Sequence, residues 1–122
     1  MTIPPDYPWR PGTLSLQHGV PARLVGQDAA GRWNAWDASG TWLRYASLDG
    51  IEPDLTDGAT KGALLEAVRE AYGDPTAYVM PDGDTWVVWA CIPGDDARSK
   101  DGVAEGPTEG AALLAAWEAR PR

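Results

Sequence analysis

Thr41-Trp42-Leu43-Arg44-Tyr45-Ala46 and Thr85-Trp86-Val87-Val88-Trp89-Ala90 are two versions of one phrase, forty-four residues apart. Each is followed by a run at helical spacing. After the first comes Ala59-Thr60-Lys61-Gly62-Ala63-Leu64-Leu65-Glu66-Ala67-Val68, and after the second Pro107-Thr108-Glu109-Gly110-Ala111-Ala112-Leu113-Leu114-Ala115-Ala116-Trp117. A strand phrase and a helix phrase, both doubled, predict a small two-layer α+β fold. The expected arrangement is an antiparallel sheet of about four to five strands with two helices on one face. It would be built from pseudo-repeated β-hairpin–helix units at about 31–73 and 76–119. In this reading residues 13–122 form a single domain and residues 1–12 an extended Pro-rich arm.

Upstream of the first phrase the chain reads as a meander. Asp28-Ala29-Ala30-Gly31 and Asp37-Ala38-Ser39-Gly40 each place Asp first and Gly fourth, as a type I turn prefers. Strands are therefore expected near 13–17, 23–27, 32–36 and 41–47, the first of them at an edge. Asp49 to Asp57 reads as an acidic linker. A helix follows over about 59–72, capped by Asp57 and stopped by Gly73 and Pro75, with Leu64, Leu65, Val68 and Tyr72 on its apolar stripe. A second hairpin is expected around Pro81-Asp82-Gly83-Asp84, then a loop over 94–106 and a last helix capped by Thr108. Trp86 to Ile92 is apolar without alternation, which predicts a central strand covered on both faces.

The net charge of −8 is uneven: residues 49–84 carry nine acids against Lys61 and Arg69. Such a surface repels phosphate backbones, so direct nucleic-acid binding is not expected, while a basic protein surface would be attracted. The longest apolar run is too short to span a bilayer, and no membrane partner is expected. One cysteine, Cys91, and a start lacking the basic and apolar regions of an export signal suit a reducing, cytoplasmic setting.

Chemistry-bearing patterns are sparse. His18 is the sole histidine and sits in a Gly/Pro turn; Cys91 lies in the apolar strand and reads as a small hydrophobe. The carboxylates Asp49, Glu52, Asp54 and Asp57 lack the order of a calcium loop and are interrupted by Pro53. No nucleophile–base pair, metal-ligand spacing or phosphate loop is found, so neither catalysis nor a cofactor is expected. The remaining candidates are interaction residues: Tyr7 and Trp9 on the Pro-rich arm, Trp33 and Trp89 on strands, and the acids Asp49, Glu52, Asp54 and Asp57. Trp33 and Trp36 are three apart, as are Trp86 and Trp89, so one of each pair should face the core. The other is free to stack on a sugar, a base or a partner side chain, the partner being favoured because no basic groups accompany a nucleotide platform.

The stretch Leu55-Thr56-Asp57-Gly58-Ala59-Thr60-Lys61-Gly62, with the helix running on to Val68-Arg69-Glu70-Ala71-Tyr72-Gly73-Asp74, resembles small uncharacterised proteins of tailed phages and prophages. Those read Asp-Pro-Ala-Thr-x-Gly before a Leu-rich helix ending Val-Arg-Glu-Ala-Trp-Gly. The end, from Gly106-Pro107-Thr108-Glu109-Gly110 to Ala119, is similar to their Gly-Pro-Thr-Glu-Ala-Glu-Ala-Leu ending. Gly58 stands where that family has Pro, and Gly110 where it has Ala. The likeness covers residues 54–119 and implies a phage or prophage origin, with no catalytic residue attached. The expected function is a non-enzymatic accessory protein acting through a protein partner or self-association. A capsid or tail decoration protein of the virion, or an acidic nucleic-acid mimic that inhibits a host defence protein, are the alternatives.

Overall fold

The computed structural model describes residues 3–94 and 99–121, which form two compact units divided at Thr60/Lys61. The fold is α+β, with two helices and two antiparallel sheets. The strands anticipated as one sheet are thus shared between two.

The first unit is a five-stranded meander. Its strands are β1 (Leu14–Gln17), β2 (Val20–Gln27), β3 (Trp33–Asp37), β4 (Trp42–Tyr45) and the short β5 (Glu52–Pro53), in the order β4-β3-β2-β1-β5. The two Asp-x-x-Gly segments are the same turn twice. In each, the Asp backbone N–H donates across the loop, Asp28 to Arg32 and Asp37 to Thr41 (2.9 and 3.1 Å). The Asp side chain then accepts from the two backbone N–H groups two and four residues on, and the Gly closes the turn at φ +83° or +82°. These turns fix the register that sets Ala35 opposite Leu24 and Leu43.

One face of the sheet buries Ala22, Leu24, Trp33 and Ala35 with Leu48 and Ile51 from the segment before β5. The strand near 13–17 is not an edge, because two residues of the expected linker, Glu52 and Pro53, pair with it as β5. Nor is the Pro-rich segment a separate arm. Gly12 N–H donates to Leu24 O (2.8 Å), Leu24 N–H to Thr13 O (2.9 Å), and Tyr7 is 6% exposed. Apolar aromatic area next to an incompletely covered sheet is more stable folded onto it than left in water.

The second unit holds α1 (Gly58–Tyr72, whose first residues belong to the first unit), β6 (Tyr78–Asp82), β7 (Thr85–Ala90), β8 (Asp101–Gly106) and α2 (Glu109–Glu118). Asp57 caps α1 by accepting from Thr60 N–H (3.0 Å), and Thr108 caps α2 by accepting from Ala111 N–H (3.1 Å). Leu64, Val68 and Tyr72 are buried on the expected stripe, and Tyr72 Oη donates to Ala116 O (2.8 Å), tying the helices together.

The non-alternating strand is central, in the order β6-β7-β8, with both Val87 and Val88 buried. Its second neighbour comes from the stretch expected to be loop. Of 94–106, residues 95–98 lie outside the described residues, and 101–106 form β8. A central strand needs partners for both rows of backbone groups, and β8 supplies the second row. The doubled phrases therefore occupy unlike settings: β3–β4 belongs to a five-stranded sheet, β6–β7 to a three-stranded one.

Candidate functional site

A groove of about 650 Å³ opens on the first unit, where the Pro-rich segment, the β2–β3 turn and the residues before β5 come together. Local backbone chemistry builds each wall. Tyr7 N–H donates to Pro4 O (3.1 Å) and Trp9 N–H to Tyr7 O (2.9 Å), which folds the Pro-rich segment into turns. Ile3, Pro4, Pro5 and Trp9 from this segment line one side. Opposite it, Leu48 to Ile51 form a β-turn, with Ile51 N–H donating to Leu48 O (3.0 Å). Leu48 and Ile51 are buried by this turn, and Asp49 and Gly50 are exposed at its tip. Trp33, at the start of β3, joins the lining, as do Gln27 and Ser47.

Four of the eight interaction candidates therefore meet at one place: Trp9, Trp33, Asp49 and Glu52. Tyr7 supports the site from behind. Its ring meets Trp9 edge-on at 4.9 Å between centroids, and burial pushes its phenol up to about 12, so it stays neutral and acts as packing. Trp33 is only 9% exposed and belongs mainly to the core.

Asp54, Asp57 and Trp89 stand apart from the groove. Asp54 accepts from Thr56 N–H (3.0 Å) and Thr56 Oγ1 (2.5 Å), a local turn. Asp57 accepts from Arg23 (2.6 and 3.1 Å) and Thr60, and its carboxyl falls to about 2, with the Arg23 hydrogen bond the largest cause. Trp89, in the second unit, lies across Gly102 on β8: a Cβ placed there would be 3.8 Å from the indole.

Sequence reasoning missed three features. Trp36 and Trp42, 45% and 42% exposed, pair across β3 and β4 edge-on at 4.4 Å, so Trp36 rather than Trp33 faces outward. The hairpin turn after Asp37 held the signal, since its length sets Trp36 opposite Trp42. Ile3, Pro4 and Pro5 carry no motif for a groove wall. Asp74, between the helix-stopping Gly73 and Pro75, is buried and accepts hydrogen bonds from Lys100, Cys91 N–H and both donors of Thr76.

Cys91 follows the end of β7 and is half-buried rather than enclosed. Burial pushes its thiol upward and the Asp74 charge adds to that, which disfavours the reactive thiolate. His18 is exposed in the β1–β2 turn. Among the described residues, no group of three or more His, Cys, Asp or Glu is placed to hold a metal ion. No helix among them is long and apolar enough to cross a membrane. Comparison with protein-family models, curated proteins and solved structures finds no match for this chain.

Proposed function

We propose that the protein is a non-enzymatic interaction factor whose groove in the first unit receives a segment of another protein. The observation that carries this reading is the convergence of Trp9, Trp33, Asp49 and Glu52, distant in sequence, on one concave surface of mixed apolar and polar lining. Interfaces draw on aromatic anchors in pockets with a polar rim, and this groove has both. Ser47, the one hydroxyl of the lining among the described residues, accepts from Asp49 N–H (3.1 Å), a role in holding the turn. The likeness of residues 54–119 to tailed-phage proteins supports a phage or prophage accessory role.

Ala46 is exposed and lines the groove, so Ala46→Arg fills it without touching the core. Cross-linking in lysate of an infected host, read by mass spectrometry, should recover a defined protein with the wild-type chain and lose it with the variant. Circular dichroism should show the two folds alike. Identical recoveries from both chains would overturn the groove as the docking site.

A further inference from the structure

The groove's charge names its occupant's chemistry. Among the described residues, its only ionisable lining groups are Asp49 and Glu52. Two bases adjoin lining residues in sequence: Arg10, after Trp9, is already engaged within the chain, and Arg32, after Gly31, is turned to Asp28, with Nε 2.9 Å from Oδ2. The Trp9 indole, the small part of Trp33 left exposed and two carboxylates, with neither adjoining arginine free, make a surface that attracts positive charge and apolar area together. Indole rings attract cations electrostatically, and carboxylates pair with them.

Resting on the docking reading above, we infer that the groove binds a partner segment presenting an arginine or lysine beside an apolar side chain. An acidic or purely apolar segment would lack the matching charge. The whole chain's negative balance strengthens encounter with such a partner.

Three capped pentapeptides test this, identical apart from a central Arg, Glu or norleucine between leucines. Each is titrated into the intact protein while the indole N–H resonances of Trp9 and Trp33 are followed by NMR. The Arg peptide should shift both resonances and bind about tenfold tighter than the Glu peptide, a preference that narrows as salt rises. The Asp49→Asn/Glu52→Gln double variant, both exposed sites, should keep its melting temperature and lose the preference.

Equal binding of the Arg and Glu peptides, or tighter binding of norleucine, overturns the inference, as does a preference that survives in the double variant. If Ala46→Arg still abolishes partner recovery in that case, the docking reading stands and only the occupant's chemistry is wrong. If none of the peptides shifts Trp9 or Trp33 and recovery is unaltered, both readings fall.

Discussion

Lys100 Nζ sits 2.5 Å from Oδ2 of Asp74, a residue only 5% exposed. The same carboxylate accepts from Cys91 N–H (2.9 Å), at the end of β7, and from Thr76 N–H and Oγ1 (3.0 and 2.8 Å), ahead of β6. Burial pushes this carboxyl upward, but the bonds from Lys100, Cys91 and Thr76 outweigh it and hold the group well below the usual carboxylate range. One side chain thus joins the end of α1 to β7 and to the start of β8. Asp74→Ala leaves part-buried N–H donors and the Lys100 cation without this acceptor, and should cost about 1–3 kcal/mol. Asp74→Asn keeps the shape and should cost less. Urea unfolding compares them; an alanine variant within about 0.5 kcal/mol of wild type would refute the role.

Acid should destabilise the protein in part through Asp57. Arg23 holds the Asp57 carboxyl at about 2, chiefly by its hydrogen bond, against an ordinary value near 4. A carboxyl with the lower pKa in the folded chain takes up its proton on unfolding, so lowering the pH favours unfolding. The stability is fully present above about pH 4 and is lost as pH falls towards about 2. Asp57→Asn still caps α1 but removes the titration, so it should flatten the fall in urea midpoint across that window. Parallel curves for variant and wild type would show that Asp57 contributes nothing to acid sensitivity.

Local chemistry was the legible part of this chain. The Asp-x-x-Gly turns, both helix caps and the stripe of α1 follow from short-range rules, and each formed where those rules put it. Sheet partnership was not legible. The likeness of Thr41–Ala46 to Thr85–Ala90 reflects two hairpin strands of similar composition, while the choice of neighbours depends on long-range pairing. β5 and β8 are the examples: Glu52-Pro53 and Asp101–Gly106 are poor strand sequences recruited because β1 and β7 had unpaired edges. The groove was half legible. Its aromatic and acidic residues stood out singly, but nothing in the spacing of Trp9 and Asp49 says that they meet.

His18 occupies a turn that suits another residue better. It is the one described non-glycine residue with positive φ (+51°), followed by Gly19 at +76°, in the two-residue loop joining β1 to β2. That pattern is a type I′ hairpin, whose first position favours Asn. The imidazole is exposed, so His18→Asn should raise stability by roughly 0.3–1 kcal/mol without altering the groove. A thermal melt should move up by about 1–4 °C. A lower melting temperature would mean that the imidazole makes a stabilising contact worth more than the turn preference.

Two glycine-to-alanine changes should act with opposite sign. Gly62 lies exposed within α1 with nothing within 4 Å of a Cβ placed on it. Alanine there removes backbone freedom from the unfolded chain and should stabilise by about 0.5–1 kcal/mol. Gly106 ends β8 against the first turn of α2, where a Cβ would come 2.8 Å from Ala112 N and 2.9 Å from Ala111 C. These are backbone atoms held in place by the Thr108 cap, whose carbonyl accepts from Ala112 N–H (3.0 Å), so they cannot step aside as a flexible side chain would. Gly106→Ala must therefore push β8 from α2 or break the cap, at a cost of about 1–3 kcal/mol. The close approach gives the Gly106-Pro107-Thr108 sequence its physical reason: a residue without a Cβ, then a residue compatible with the turn, then a cap. If urea unfolding shows Gly106→Ala as harmless as Gly62→Ala, the strand and helix do not meet as closely as this geometry requires.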